Sequence, residues 1–138
     1  MIKIQKKDFN LEKEIKIIKD SFSNIGAVCT FIGYVRDLNN NKDVKHIDLE
    51  VYKDMAFKEL SKIKINAIKK WGLIDCLIIH RYGKLNVNNK IVLVACFSEH
   101  RKDGLEACKY IMDYLKKDAP FWKKEFYTKG SNWIENSS

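Results

Sequence analysis

One proline, Pro120, cuts the C-terminal part of the chain in two. Before it, Leu105, Cys108, Ile111, Met112 and Leu115 recur at the spacing of one helix face. After it comes Phe121-Trp122-Lys123-Lys124, an aromatic–lysine run suited to a strand. Proline cannot continue a helix, so MDYLKKDAPFWKKE (residues 112–125) must pass from helix to extended chain within a few residues. Two lysine pairs, Lys116-Lys117 and Lys123-Lys124, flank that break. Lysines held beside aromatics can lose charge by desolvation and act as acids, bases or nucleophiles. They can equally form a solvated rim, and a basic helix C-terminus is what dipole complementarity alone selects. Lys123 and Lys124, adjacent in extended chain, face opposite ways, and periodicity does not choose between them.

The remaining segments mix strands and helices without strict βαβ alternation. Residues 2–5 read as a short strand. Asn10 caps a helix that places Leu11, Ile15, Ile18 and Phe22 on one face. Gly26–Arg36 (GAVCTFIGYVR) reads as a mostly buried strand, with Gly33 marking a bulge or a close backbone approach. A polar loop, Asp37–Asp43, follows. Val44–Tyr52 alternates, with Ile47, Leu49 and Val51 opposite His46, Asp48 and Glu50. Asp54 is the expected cap of a helix running to Trp71, with Gly72 as its stop. Residues 75–82 and 90–98 are strong strand candidates, separated by turn chemistry at Gly83 and Asn88-Asn89. Asp103 and Glu106 resemble a capping box. Beyond Pro120, residues 121–127 and 132–135 read as short strands around a Lys129-Gly130-Ser131 turn. The expected architecture is a single α+β domain over residues 1–138, with a largely antiparallel mixed sheet and flanking helices.

Composition narrows the function classes. A net charge of +8 admits nucleic acid, a membrane surface or anionic small molecules as partners. The excess is lysine spread through every segment, which points to compositional bias, and against it Arg36, Arg81 and Arg101 stand out. An arginine fork binds phosphate or carboxylate bidentately, which lysine does not imitate. Cys29, Cys76, Cys96 and Cys108 sit singly in apolar segments, without the clustering that zinc or iron–sulfur ligation needs. They read as reduced core residues in a reducing compartment, and no metal or cofactor site is expected. Apolar runs are too short to cross a bilayer, and Lys6, Lys7 and Asp8 interrupt any secretory leader. A cytoplasmic location is the expectation.

Two anion sites suggest themselves. Arg36 ends a strand beside a polar loop, as a binding group or as a surface arginine paired with Asp37 or Glu50. His100-Arg101 stands between a strand and a helix N-terminus, where free amides and the dipole favour an anion, or where the histidine merely caps the helix. His80-Arg81 lies within a strand with its side chains on opposite faces, and a structural role is favoured there. These features alone describe an α+β domain with candidate anion sites and no particular reaction. A non-enzymatic basic module for nucleic acid or an acidic protein also stays open, although its lysines would need to cluster on one face with exposed aromatics.

Taken in order, GAVCTFIGYVRD, the H-R-x-G-x-L run at His80–Leu85, S-E-H-R at 98–101 and YIMDYLKKDAPFWKKE at 110–125 resemble the large, catalytic subunit of molybdopterin synthase. The similarity covers about Gly26–Glu135. It implies a hammerhead-like α+β fold and a sulfurtransferase that converts cyclic pyranopterin monophosphate into the molybdopterin dithiolene. The implied sulfur donor is a small ubiquitin-like subunit whose Gly-Gly C-terminus carries a thiocarboxylate. The implied assembly is a central homodimer with one small subunit at each outer end, a heterotetramer. Matched to the family's motifs, Arg36, His100 and Arg101 are anion-binding, Lys116 and Lys123 catalytic, and Phe31 and Met112 pocket-lining. Asn89 stands where many relatives have glycine, and asparagine tolerates left-handed turns. The segment Asn136-Ser137-Ser138 lacks the basic residue that some members carry there.

Geometry adds one expectation. If residues 103–118 are helical, His100 and Lys116 lie roughly 24 Å apart along the axis, too far to meet over one small substrate. His100 and Arg101 are therefore expected to complete the pocket of a neighbouring subunit.

Overall fold

The computed structural model describes residues 1–39, 42–127 and 130–134. Along the chain run β1 (Ile2–Gln5), α1 (Leu11–Lys19), β2 (Ala27–Tyr34), β3 (Leu38–Asn39), β4 (Lys42–Val51), α2 (Lys53–Trp71), β5 (Asp75–Arg81), β6 (Gly83–Asn86), β7 (Lys90–Ser98), α3 (Arg101–Lys117), β8 (Phe121–Tyr127) and β9 (Gly130–Ile134). The strands divide between two sheets. One has the order β1-β5-β7-β2, with β1 parallel to β5 and the other pairings antiparallel. The second has the order β3-β4-β8-β9, with β6 also paired to β4, and is antiparallel throughout. The α+β expectation holds, while the division into two sheets was not foreseen.

The first sheet is covered on both faces, which explains its near-continuous apolar strands. Period-two alternation sends Cys76 and Ile78 of β5 and Val94 and Cys96 of β7 toward α2 and α3, against Leu60, Ile63, Ala107 and Ile111. Leu77, Ile79, Leu93 and Phe97 point the other way, onto Phe9 and Ile18 at α1. Each such fully buried Leu or Ile contributes about 1.5–3 kcal/mol relative to exposure. All four cysteines are free; three are buried and Cys29 is half-buried. The second sheet has its own small core of Val35, Val44, Ile47, Leu49 and Leu85.

Several local expectations hold. Asn10 caps α1, its Oδ1 accepting from the Lys13 amide at 3.0 Å, and Gly72 ends α2 with φ 61°. The register shifts between Gly33 and Tyr34, where a Cβ on Gly33 would stand 3.1 Å from Val92 Cγ1.

Others are corrected. β2 is an edge strand, not a mostly buried one, and Phe31 (41%) and Tyr34 (51%) are exposed on it. Asp37–Asp43 is not all loop, because Leu38 and Asn39 pair with Asp43 and Lys42. Residues 40 and 41 of that stretch lie outside the described residues, as do Lys129, Glu135 and Asn136-Ser137-Ser138. Phe22 lies beyond the end of α1 and is exposed. Tyr52, not Asp54, stands at the N-cap of α2 and makes no side-chain cap bond. The turn chemistry at Gly83 and Asn88 holds, with φ 85° and 71°, but Gly83–Asn86 between them is a further strand, β6, which Gly83 swings out of β5 and onto β4. α3 begins at Arg101, ahead of the suggested Asp103–Glu106 box, with His100 at its N-cap and no side-chain cap bond.

Candidate active site

The forced break at Pro120 assembles half of the site. α3 ends at Lys117, where the Asp118 amide donates to the Tyr114 carbonyl at 2.9 Å. The buried Ala119, Pro120 and Phe121 then carry the chain back into the fold as β8. Pairing with β4 sets Phe121, Lys123 and Glu125 against Val51, Leu49 and Ile47. The alternate residues Trp122, Lys124 and Phe126 meet Glu50, Asp48 and His46 on the other face. There Lys124 Nζ lies 5.4 Å from the rings of both Phe126 and Trp133, and His46 stacks on Phe126. Lys117 is exposed. The two lysine pairs are thus split, with one member of each turned to a common space.

That space is a cavity of about 600 Å³ lined by Phe31, Arg36, Met112, Lys116, Lys123 and, beneath them, His80, Phe121 and Glu125. Ile47, Leu49, Val92 and Leu115 complete its apolar walls. It lies at the seam of the two sheets, under the last turn of α3. Arg36 is held at its rim by the residue before it. Val35 is buried, its amide donates to the Asn89 carbonyl at 2.9 Å, and its carbonyl accepts from the Asn88 amide at 2.8 Å. In that turn it is Asn88, not Asn89, that takes the positive φ, 71°, while Asn89 Oδ1 accepts from the Asn86 amide at 2.9 Å.

Three cations, Arg36, Lys116 and Lys123, face two acids, Asp113 and Glu125, around this cavity. Asp113 accepts from Lys109 Nζ at 2.8 Å, and that bond holds its carboxyl below the usual range. Glu125 is buried and accepts from the Tyr127 hydroxyl at 2.8 Å. Such a site suits a drug-sized anionic ligand with a flat apolar body. Its ammonium groups can also donate to charge developing on an oxygen during reaction.

His80 was read as structural, yet it lines the same cavity. It follows Cys76 and Ile78 on the face of β5 turned toward α2 and α3, and its ring stacks on Phe121 at 3.6 Å. The available signal was that alternation combined with the aromatic just past Pro120. Its Nδ1 lies 2.8 Å from the Arg81 carbonyl, which only accepts, so Nδ1 carries the proton. Burial pushes the pKa of the ring down to about 4 from 6.5. Between those values the unfolded chain binds a proton that the folded chain refuses, so stability falls as pH falls from about 6.5 to 4. The loss is about 3 kcal/mol once both limits are passed. The difference in urea stability between wild type and His80→Asn should therefore shift by that amount across the window. A difference that does not vary with pH would show that this ring is not held neutral.

His100 and Arg101 do not join the cavity. They stand at the far end of α3 from Lys116, roughly 22 Å along the axis for Arg101 at 1.5 Å per residue. The Ser98 hydroxyl fixes their turn by donating to the His100 carbonyl at 2.6 Å. Gly104 lets the helix press close, since a Cβ there would lie 3.0 Å from Ser98 Oγ. Both side chains are exposed. Among the described residues no group of three or more His, Cys, Asp or Glu side chains could hold a metal ion. No helix among them is long and apolar enough to cross a membrane.

The family model described as MoaE protein matches residues 4–118. A molybdopterin synthase catalytic subunit from Ralstonia nicotianae is 47% identical over 134 residues, covering 97% of this chain and 76% of that one. Among solved structures, a molybdopterin biosynthesis MoaE protein from Burkholderia ambifaria MC40-6 superposes with a TM-score of 0.86 at 41% identity, covering 100% of this chain and 90% of that one. A molybdopterin synthase crystal structure from Staphylococcus aureus gives a TM-score of 0.86 at 32% identity, covering 96% and 95%.

Proposed function

Because the chain belongs to the MoaE protein family, we propose that it is the catalytic subunit of a molybdopterin synthase, an enzyme of molybdenum cofactor biosynthesis. In this reading it is a sulfurtransferase. It takes sulfur from the C-terminal thiocarboxylate of a small ubiquitin-like subunit and installs it on cyclic pyranopterin monophosphate as the dithiolene. The observation that carries the reading is the convergence of Arg36, Lys116 and Lys123 on one cavity beside Phe31 and Met112.

Each residue has a role that its chemistry supports. The Arg36 guanidinium takes an anionic group of the pterin as a fork. Phe31 and Met112 form an apolar wall for the heterocycle. Each transfer forms a carbon–sulfur bond at a side-chain carbon of the pterin as that carbon's bond to oxygen breaks, the oxygen leaving as water or staying on the phosphate as its ring opens. Water then cleaves the acyl–sulfur bond, leaving the carrier with an ordinary carboxylate. Lys116 and Lys123 supply protons and steady the oxyanion of that cleavage. His100 and Arg101, remote from their own cavity, serve the cavity of a second copy of the chain, in a homodimer that carries one small subunit at each end. The four free thiols fit a reducing compartment, the cytoplasm.

Reconstitution tests this. The purified chain, mixed with a thiocarboxylated small subunit and cyclic pyranopterin monophosphate, should form dithiolene and consume two thiocarboxylates per pterin. Carrier that stays fully thiocarboxylated in that mixture would overturn the assignment.

A further inference from the structure

The residue that the reading above leaves without work is His80. It sits deep in the cavity, only 8% exposed, with one ring nitrogen committed and one not. Nδ1–H donates to the Arg81 carbonyl, and the ring lies flat on Phe121 with 16° between planes. Nε2 has no partner among the described residues, and no buried side-chain nitrogen or oxygen there goes unpaired. The atom therefore reaches the cavity. With Nδ1 as the donor, a neutral ring offers Nε2 as a lone pair and nothing else.

That lone pair is out of character with its surroundings. The other nitrogens that the lining side chains offer belong to Arg36, Lys116 and Lys123, all donors. Of the acceptors, Asp113 is exposed and tied to Lys109, the Tyr34 hydroxyl belongs to an exposed side chain and donates as well as accepts, and Glu125 is engaged by Tyr127. A phosphorylated pterin has two chemically different ends. Its phosphate needs donors, which the rim supplies; its bicyclic head carries ring and exocyclic N–H groups, which need acceptors. We infer that His80 is a specificity residue of this site, its Nε2 accepting a hydrogen bond from an N–H of the pterin heterocycle while Phe121 and Arg81 fix the plane and tautomer of its ring. The inference rests on the pterin reading of the cavity. The small subunit's tail also has N–H groups; Lys116 and Arg36 are exposed and His80 is buried, and the inference gives the buried position to the heterocycle.

Burial supports this use of the ring and excludes another. Held down to about 4, the imidazole stays neutral at working pH and is too weak a base to take a proton from a lysine ammonium. It recognises a donor; it does not relay a proton.

Two substitutions separate the ring's two nitrogens. His80→Asn keeps a donor where Nδ1 was and deletes the acceptor; His80→Gln can present an amide oxygen near the place of Nε2. In the reconstituted enzyme, His80→Asn should raise the KM for cyclic pyranopterin monophosphate about tenfold with kcat little changed, and His80→Gln should recover most of that loss. Unchanged KM in His80→Asn, or a fall in kcat alone, overturns the inference. The wild-type chain gives a second readout that requires no folded variant. With 15N-labelled histidine, the Nε2 resonance of His80 should shift when the pterin precursor is added without the small subunit. A resonance that moves only when the small subunit is added would assign Nε2 to the tail and overturn the inference. Absence of both binding and turnover in the wild type would instead remove the pterin reading, and this inference with it.

Discussion

Alanine at Lys116 is expected to slow dithiolene formation by about 10²–10⁴-fold, the range associated with losing a positioned proton donor or acceptor. Lys116 is exposed in the last turn of α3, so folding should change by less than about 1 kcal/mol through the helix dipole. Lys117→Ala is the matched control. It removes the same charge from the same turn, outside the cavity lining. A single-turnover assay with thiocarboxylated carrier separates the two: Lys117→Ala should keep its rate and Lys116→Ala should not. If both variants keep it, Lys116 has no chemical role and the cation cluster does no more than bind.

Mixed dimers should show the second large effect. Arg101→Ala and Lys116→Ala chains should each form nearly inactive homodimers, because either change damages both pockets when each pocket draws on two chains. A heterodimer of the two, purified through different tags, has one pocket with both residues intact and one with neither. About half of the wild-type rate should return, as two-fold symmetry requires. Heterodimers as inactive as their parents would show that Arg101 serves its own chain or none. The basis for this expectation is the length of α3, which holds Arg101 and Lys116 at opposite ends.

Much of this could be read from the sequence, for identifiable reasons. Asn10, Gly72 and Pro120 act locally, through a side-chain acceptor, a left-handed backbone and a missing amide, and each did what its chemistry dictates. The alternation of β4 was equally plain, with Ile47, Leu49 and Val51 on one side. What the pattern of β8 lacked was a partner. Lys123 and Lys124 are indistinguishable until Lys123 is aligned with Leu49 and Lys124 with Asp48. Strand β6 was missed because GKLN has no periodicity to detect, and its pairing depends on residues far away in β4. His80 escaped for a related reason: a histidine in an apolar strand reads as core until Phe121, which stacks on it from another sheet, is known. The alternative of a basic nucleic-acid module gives way to the family to which the chain belongs.

The register of β8 against β4 has a consequence for how such a gene can change. A strand repeats every two residues, so a slip of one exchanges its faces completely. Gaining a single codon between Phe121 and Trp122 would send Trp122 and Lys124 into the cavity and turn Lys123 and Glu125 out, while leaving every residue type present. No point substitution in the segment changes as much. Single-codon insertions should therefore be absent from the start of this strand across functional descendants, even where single replacements at Trp122 or Phe126 are accepted.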